Sequence, residues 1–183
     1  MTRNDQILMQ DGSPNIAVII ATGDVSVEGD GLTSKEICKL LRDARANKTI
    51  KSVVLRINSP GGSALASDEI WREVKLTNEK KKVIVSMGDV AASGGYYIAT
   101  PATRIFAEPT TITGSIGVFG MIPYTGDFMK NTLGLSFDYV QTNKHAAFSL
   151  NRKLTPEELS NIQAEVDDIY MDFLNLIFLN TTL

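Results

Sequence analysis

Cysteine and histidine are almost absent from this sequence: Cys38 and His145 are single occurrences among 183 residues. One cysteine excludes an internal disulfide and a cysteine-rich metal site. One histidine excludes a zinc site built from several histidines, and it leaves His145 as the sole base for any Ser-His or Cys-His mechanism. We therefore expect a protein that uses neither a metal nor another cofactor.

An excess of charge of one sign and a long apolar run are also lacking. The 18 basic and 21 acidic residues give a net charge of −3, which disfavours nucleic acid as a partner. The first residues do not show the basic and then apolar pattern of a signal peptide, and no stretch approaches the roughly 18 apolar residues of a membrane helix. With 43% apolar and 21% charged residues, the composition predicts a soluble, folded chain.

Short apolar runs alternate with amphipathic segments in the first part of the chain. The runs are rich in Val and Ile, which is typical of strands buried on both faces. These strand candidates are residues 16–21, 53–57, 83–85 and 105–107. The helix candidates are residues 33–46, residues 63–76 and a segment from Ser93 to just before Pro101. This alternation predicts an α/β domain with a largely parallel sheet flanked by helices.

The chain after Thr113 is glycine-rich at first and less regular afterwards. We predict a short helix near residues 127–131, a strand near residues 137–141 and a last helix that opens at Thr155. That helix has a threonine cap, a proline at its first position and acidic residues in its first turn. Because no repeat or interdomain linker interrupts the pattern, residues 1–183 are predicted to form a single domain.

Three glycine-rich segments follow predicted strands, at the edge of the sheet where α/β proteins place their sites. They are Asn-Ser-Pro-Gly-Gly-Ser at 58–63, Ala-Ala-Ser-Gly-Gly-Tyr-Tyr at 91–97 and Thr-Gly-Ser-Ile-Gly-Val at 113–118. Ser93 in the second segment can sit on a sharp turn with its hydroxyl exposed and the N–H of Gly94 beside it, as a serine nucleophile requires. A plain helix cap at Ser93 and tight turns at the other two segments are the alternatives.

In this order and spacing, the three motifs resemble the signal peptide peptidase A (protease IV) family, serine proteases of the Clp-protease/crotonase fold. The resemblance extends from about residue 16 to about residue 173. It implies that Ser93 is the nucleophile and that Gly94 and Gly62, with Gly61 as the alternative to Gly62, form the oxyanion hole. It also implies a lysine as general base, with Ser115 orienting the lysine amine.

The lysine of this family has no clear counterpart in the chain. In the short form of the family it follows the nucleophile within the same domain, and the best register places Ala146 there, with Lys144 two residues earlier. In the long form, two homologous halves share one polypeptide and the N-terminal half carries the lysine. A serine without its lysine is the pattern of the C-terminal half. The resemblance therefore implies that this chain is such a fragment, inactive or nearly so by itself.

The resemblance also implies a substrate, a location and an assembly. The family degrades released signal peptides and other unfolded apolar peptides at the bacterial inner membrane, facing the periplasm or cell exterior, and its long form is a homotetramer. The segment 118–123 is a candidate apolar wall for an extended peptide, with core packing as the alternative. Three other hypotheses are a Ser-His-Asp protease using His145, a crotonase-like acyl-thioester enzyme, and an assembly or scaffold domain with a vestigial serine motif.

Overall fold

The computed structural model describes residues 5–10, 13–143, 146 and 148–180. Two compact units are present: one combines the residues up to 117 with those from 172 onward, and the other comprises residues 118–171. In chain order the elements are β1 (Asp5–Gln10), β2 (Ser13–Thr22), β3 (Val25–Ser26), β4 (Leu32–Thr33), α1 (Ser34–Ala46), β5 (Ser52–Ser59), α2 (Ala64–Asn78), β6 (Val83–Ala92), α3 (Gly94–Tyr97), β7 (Arg104–Phe106), β8 (Ile112–Gly114), α4 (Gly126–Leu133) and α5 (Pro156–Asn180).

The first unit is built on a six-stranded sheet. Its strand order is β1-β2-β5-β6-β7, and β8 pairs with the C-terminal part of β6. Every pairing in this sheet is parallel except that of β1 with β2. The predicted largely parallel sheet is therefore confirmed, and it brings the ends of β5 and β6 to the same edge.

The strands are fully buried on one face only. Val53, Leu55 and Ile57 alternate with half-buried or exposed neighbours along β5, and Ile16 in β2 is 40% exposed. The prediction of burial on both faces is thus only half right. Helices α1 and α2 pack against each other over the apolar face of the sheet, and they shield that face from solvent.

Side-chain caps begin helices α1 and α2, close to the predicted helix starts at residues 33 and 63. The Thr33 hydroxyl accepts the N–H of Glu36 (3.3 Å) and begins α1, and the Ser63 hydroxyl accepts the N–H of Ala66 (3.3 Å) and begins α2. Each cap satisfies a backbone donor that has no acceptor within the helix. The second cap fixes where the chain leaves the Pro-Gly-Gly turn.

A buried carboxylate joins α1 to α2. Glu73 of α2, whose side chain is 10% exposed, accepts the guanidinium of Arg42 (Nε to Oε1, 3.0 Å) and that of Arg45 (Nη1 to Oε2, 2.8 Å). Arg45 also donates to the hydroxyl of Thr77 (3.3 Å). Removing one partner of a buried charged hydrogen bond is costly, because the other partner stays desolvated.

Replacing Glu73 by glutamine should lower the free energy of unfolding at pH 7 by about 2 kcal/mol. Burial raises the pKa of Glu73, but hydrogen bonds and attraction from Arg42 and Arg45 lower it by more, so this pKa lies below its usual value. A depressed carboxyl pKa stabilises the fold above the unfolded-state pKa, about 4.3, and the contribution is lost as the pH falls through the folded-state pKa. Urea unfolding at pH 7 and in acid measures the difference.

The control is Glu79→Gln, an exposed carboxylate at the end of the same helix. It should change stability little at either pH. An equal loss for Glu73→Gln at neutral and acid pH would contradict an electrostatic role for Glu73.

Residues 118–171 form the second unit, and here one predicted element is wrong. Helix α4 matches the predicted short helix, but residues 135–140 have no regular structure, so the predicted strand at 137–141 does not form. Phe137, Tyr139 and Val140 are exposed. A strand needs a neighbour for its backbone groups, and no strand occurs among the described residues of this unit.

The last helix opens as its sequence predicts. Thr155 Oγ1 accepts the N–H of Glu158 (3.2 Å), and Glu158 Oε2 accepts the N–H of Thr155 (2.8 Å), which is a reciprocal capping box. Hydrogen bonds from Arg152 and from the Thr155 backbone lower the pKa of Glu158 to about 2. None of the helices in the described part of the chain combines the length and apolar character needed to cross a bilayer.

Candidate active site

Ser93 occupies a sharp turn between the end of β6 and the start of α3. Its backbone has φ 49° and ψ −121°, in the positive-φ region that non-glycine residues rarely adopt. The side chain is half-buried and makes no capping hydrogen bond to α3. The plain helix-cap interpretation of Ser93 therefore fails, and the hydroxyl is left available for another role.

Hydrogen bonds on both sides hold this unfavourable backbone in place. The N–H of Ser93 donates to the carbonyl of Gly114 in β8 (2.9 Å). The carbonyl of Ser93 accepts the N–H groups of Tyr96 (2.9 Å) and Tyr97 (2.8 Å). Strain of this kind costs about 1–3 kcal/mol and persists only where surrounding contacts determine it, as at nucleophile turns.

The Pro-Gly-Gly turn after β5 packs directly on the Ser93 turn. Gly61 has φ +102°, and a Cβ at this position would lie 2.6 Å from the Gly94 nitrogen and 2.8 Å from Ser93 Cβ. Only glycine combines that conformation with that approach. The two glycine-rich segments, whose contacting residues Gly61 and Ser93 are 32 positions apart in sequence, thus form one site.

Two backbone N–H groups at this contact are available to bind an oxyanion. Val25 donates to the carbonyl of Gly61 (2.8 Å) and accepts the N–H of Ser63 (2.8 Å), so the N–H of Gly62 points to the opposite side. The Gly62 nitrogen lies 3.4 Å from the Cβ position of Gly94. Among the described residues, no hydrogen bond is donated by the N–H of Gly62 or of Gly94.

Gly61 differs from Gly62 in this respect. The N–H of Gly61 donates to the hydroxyl of Ser59 (3.1 Å), a fully buried side chain. An N–H already bound to a buried hydroxyl is a poor donor to a ligand. The geometry therefore favours Gly62 over Gly61 as the partner of Gly94.

Ser115 is brought next to Ser93 by the pairing of β8 with β6. The register is Val90 with Ile112, Ala91 with Thr113 and Ala92 with Gly114, so the following residues are Ser93 and Ser115. Ser115 also has a positive φ, 50°, and its side chain is exposed. The three glycine-rich segments of the sequence therefore meet at one edge of the sheet.

The candidate bases cannot be placed in this arrangement. Lys144 and His145 lie outside the described residues. Ala146, which the sequence analysis aligns with the lysine of the short form, is an exposed residue in the second unit.

Cys38, the other potential nucleophile, is unsuited to catalysis. Its thiol is buried in α1, where burial and the neighbouring Glu73 raise its pKa to about 11. It is therefore protonated at neutral pH, and only the thiolate is a good nucleophile. The part of the chain that the structure describes also contains no group of three or more His, Cys, Asp or Glu side chains that could hold a metal ion.

Two protein-family models match the chain. The Clp protease model matches residues 18–113, and the model of peptidase family S49 matches residues 75–183. This chain belongs to peptidase family S49. The Clp protease match, which covers more than half of the S49 chain, confirms the predicted fold class.

Curated relatives extend the similarity over most of this S49 chain. It is 40% identical over 176 residues to Protease 4 of Salmonella typhi and 39% identical over 171 residues to the chloroplastic serine protease SPPA of Arabidopsis thaliana. These alignments cover 91% and 88% of the chain but 28% and 25% of the relatives. The chain thus spans about a quarter of the length of these proteins.

Among solved structures, ClpP1 from Listeria monocytogenes is similar to part of the S49 chain. The sequences are 26% identical, the superposition covers 46% of each chain, and the TM-score is 0.40.

Several supporting residues were missed by the sequence analysis. Val25 holds the Pro-Gly-Gly turn, the Ser67 hydroxyl lies against Gly94, and Ser59 fixes Gly61. All three are buried, and the roles of Val25 and Ser67 depend on contacts between elements distant in sequence, whereas Ser59 acts within its own turn. The only available signal was the placement of Ser59 inside the first glycine-rich motif.

Proposed function

We propose that this chain is the serine-bearing half of a Ser-Lys endopeptidase, with Ser93 as its nucleophile. The observation that carries the proposal is the strained Ser93 turn with two unengaged N–H groups, those of Gly62 and Gly94, beside the hydroxyl. An accessible hydroxyl next to preorganised donors is what acyl transfer requires. Membership of a peptidase family supports the same chemistry.

In this mechanism the Ser93 oxygen attacks the carbonyl carbon of the scissile peptide bond. The hydroxyl proton passes to a neutral lysine, and the N–H groups of Gly62 and Gly94 bind the oxyanion of the tetrahedral intermediate. The lysine then protonates the departing amine, leaving an acyl group on Ser93 that water removes. The lysine must be neutral, so burial has to lower its pKa from about 10.4. Ser115, which directly follows β8 and lies beside Ser93 in the β6–β8 register, is proposed to orient the lysine amine.

The lysine is proposed to come from an N-terminal half of the same polypeptide. Two considerations support this: the best register from the resemblance places Ala146 at the lysine position, and the chain matches only about a quarter of its long relatives. The complete protein is proposed to be a homotetramer, as the resemblance to the long form of the family implies.

The proposed substrates are released signal peptides and other unfolded apolar peptides, cleaved at the outer face of the bacterial inner membrane. An extended peptide can pair its backbone with a strand beside the site. Phe119 and Met121, in the segment predicted as an apolar wall, are 87% and 84% exposed in the second unit. These two side chains are therefore not packed in a core, which was the alternative role for this segment.

Crotonase-like acyl-thioester chemistry and a scaffold role are not favoured. The first needs two N–H donors but no serine nucleophile, and the second needs neither. The relatives named as proteases and the strained, uncapped Ser93 support peptide hydrolysis over both.

A fluorophosphonate probe tests the proposal on the full-length protein. The probe should phosphonylate Ser93, with loss of fluoride, and mass spectrometry of the digested protein should locate the adduct there. An unfolded apolar peptide should slow labelling by competition, whereas a strongly charged, glycine-rich peptide should not. Labelling of Ser93 that only the charged peptide slows would contradict the substrate class, and no labelling would contradict the nucleophile.

A further inference from the structure

Strand β6 is interrupted by a bulge shortly before Ser93. Ile57 of β5 pairs with Met87, and Ser59, two residues later, pairs with Ala91. Three residues of β6 therefore lie opposite the single residue Asn58. Such bulges bend a strand and re-aim the residues that follow, and they are frequent next to active sites.

The Asn58 side chain fills this bulge. Its Oδ1 accepts the N–H of Val90 (3.0 Å), and a Cβ on Gly88 would lie 2.9 Å from the same oxygen. The bulge is held from a second side by Thr111, whose hydroxyl donates to the carbonyl of Gly88 (2.8 Å). Two backbone groups that the β5–β6 ladder leaves unpaired are thus satisfied by side chains.

Asn58 also stands between the two parts of the site. Its own strand, β5, continues into Gly61 and Gly62, while the strand it binds, β6, continues into Ser93 and Gly94. Its main-chain carbonyl accepts the N–H of Gly23 (3.0 Å), which anchors the residue itself. One side chain therefore fixes the offset between the turn that carries one oxyanion donor and the turn that carries the nucleophile.

We propose that Asn58 is a positioning residue of the protease, acting through the β6 bulge on the placement of Ser93 and Gly94 relative to Gly62. This inference rests on the proposed function. Loss of the Val90 contact leaves the bulge without one of its two side-chain supports, and displacement by about 1 Å costs about a hundredfold in rate. The effect is expected in kcat, because substrate contacts are unchanged.

Asn78 offers a matched control. Its Oδ1 accepts the N–H of Val83 (2.9 Å), the first residue of β6, and its Nδ2 donates to the carbonyl of Pro101 (2.9 Å). Asn58 and Asn78 thus each accept a backbone N–H of β6 through Oδ1, at opposite ends of the strand. If the role of Asn58 were purely structural, replacing either asparagine would have the same effect on kcat and on the melting temperature.

The test compares Asn58→Ala, Asn58→Asp and Asn78→Ala in the full-length protein, with kcat, KM and the melting temperature measured for each. Asn58→Ala should lower kcat about a hundredfold with KM within about twofold. Asn58→Asp, which keeps an acceptor oxygen for Val90, should recover most of kcat. Asn78→Ala should lower the melting temperature while kcat stays within about twofold.

Equal kcat losses in Asn58→Ala and Asn78→Ala, or no recovery in Asn58→Asp, would overturn the positioning role. If Asn58→Ala does not fold, Thr111→Val removes the support at Gly88 and should lower kcat about tenfold, and an unchanged kcat would overturn the role instead. Fluorophosphonate labelling distinguishes failure of the proposed function from failure of the Asn58 positioning role. Unlabelled Ser93 in the unaltered protein overturns the proposed function and this role with it, whereas labelling at an equal rate in Asn58→Ala overturns this role alone.

Discussion

Replacing Ser93 by alanine should lower kcat/KM for peptide hydrolysis by the full-length enzyme about 10⁴- to 10⁶-fold. In the proposed mechanism the change removes the oxygen that forms the acyl intermediate, while the N–H groups of Gly62 and Gly94 stay in place. Residual hydrolysis would come from the oxyanion donors and from substrate binding alone.

The control for this variant is Ser86→Ala. Ser86 lies on the same strand, and its hydroxyl accepts a hydrogen bond from Arg56 (2.7 Å), so its loss should leave kcat/KM nearly unchanged. Alanine at position 93 keeps its Cβ, so the melting temperature should change little in either variant. Retention of more than about a tenth of the activity in Ser93→Ala would show that Ser93 is not the nucleophile.

The parts of the site that depend on local sequence were predictable. Ser93 between small residues, the paired glycines after β5 and the helix starts near residues 33 and 63 all follow from backbone requirements within a few residues. Alternating apolar and amphipathic segments likewise predicted the parallel order of β2, β5 and β6, which brings the motifs to one edge.

The parts that depend on register between distant segments were not predictable. The bulge in β6 arises because β5 and β6 pair with a jump in register, and nothing in residues 88–90 alone indicates that Asn58 will face them. Strand β8 is likewise absent from the strands that the sequence predicts, because its three residues become a strand only by pairing with β6. The strand predicted at 137–141 fails for the opposite reason: its pattern is apolar, but the described residues of its unit contain no strand for it to pair with.

The 183-residue chain alone should hydrolyse peptides at least about 10³-fold more slowly than the full-length protein. A serine hydroxyl is almost entirely protonated at pH 7, and without a base nothing accepts its proton in the transition state. The Ser93 turn forms within this chain, so under the split-dyad proposal the N-terminal half would supply the lysine rather than the fold of the nucleophile. Activity should return when the N-terminal half is supplied.

Lys144→Ala in both forms of the protein decides between the two sources of the lysine. If the base comes from the N-terminal half, this variant should leave the activity of the full-length protein unchanged, as should the control Lys153→Ala, which removes an exposed lysine 3.9 Å from Asp127. Robust turnover by the chain alone that Lys144→Ala abolishes and Lys153→Ala preserves would make Lys144 the base and rule out the split dyad. A lysine that acts as base must be neutral, so the pH–rate profile of the active form should also rise with a pKa well below 10.4.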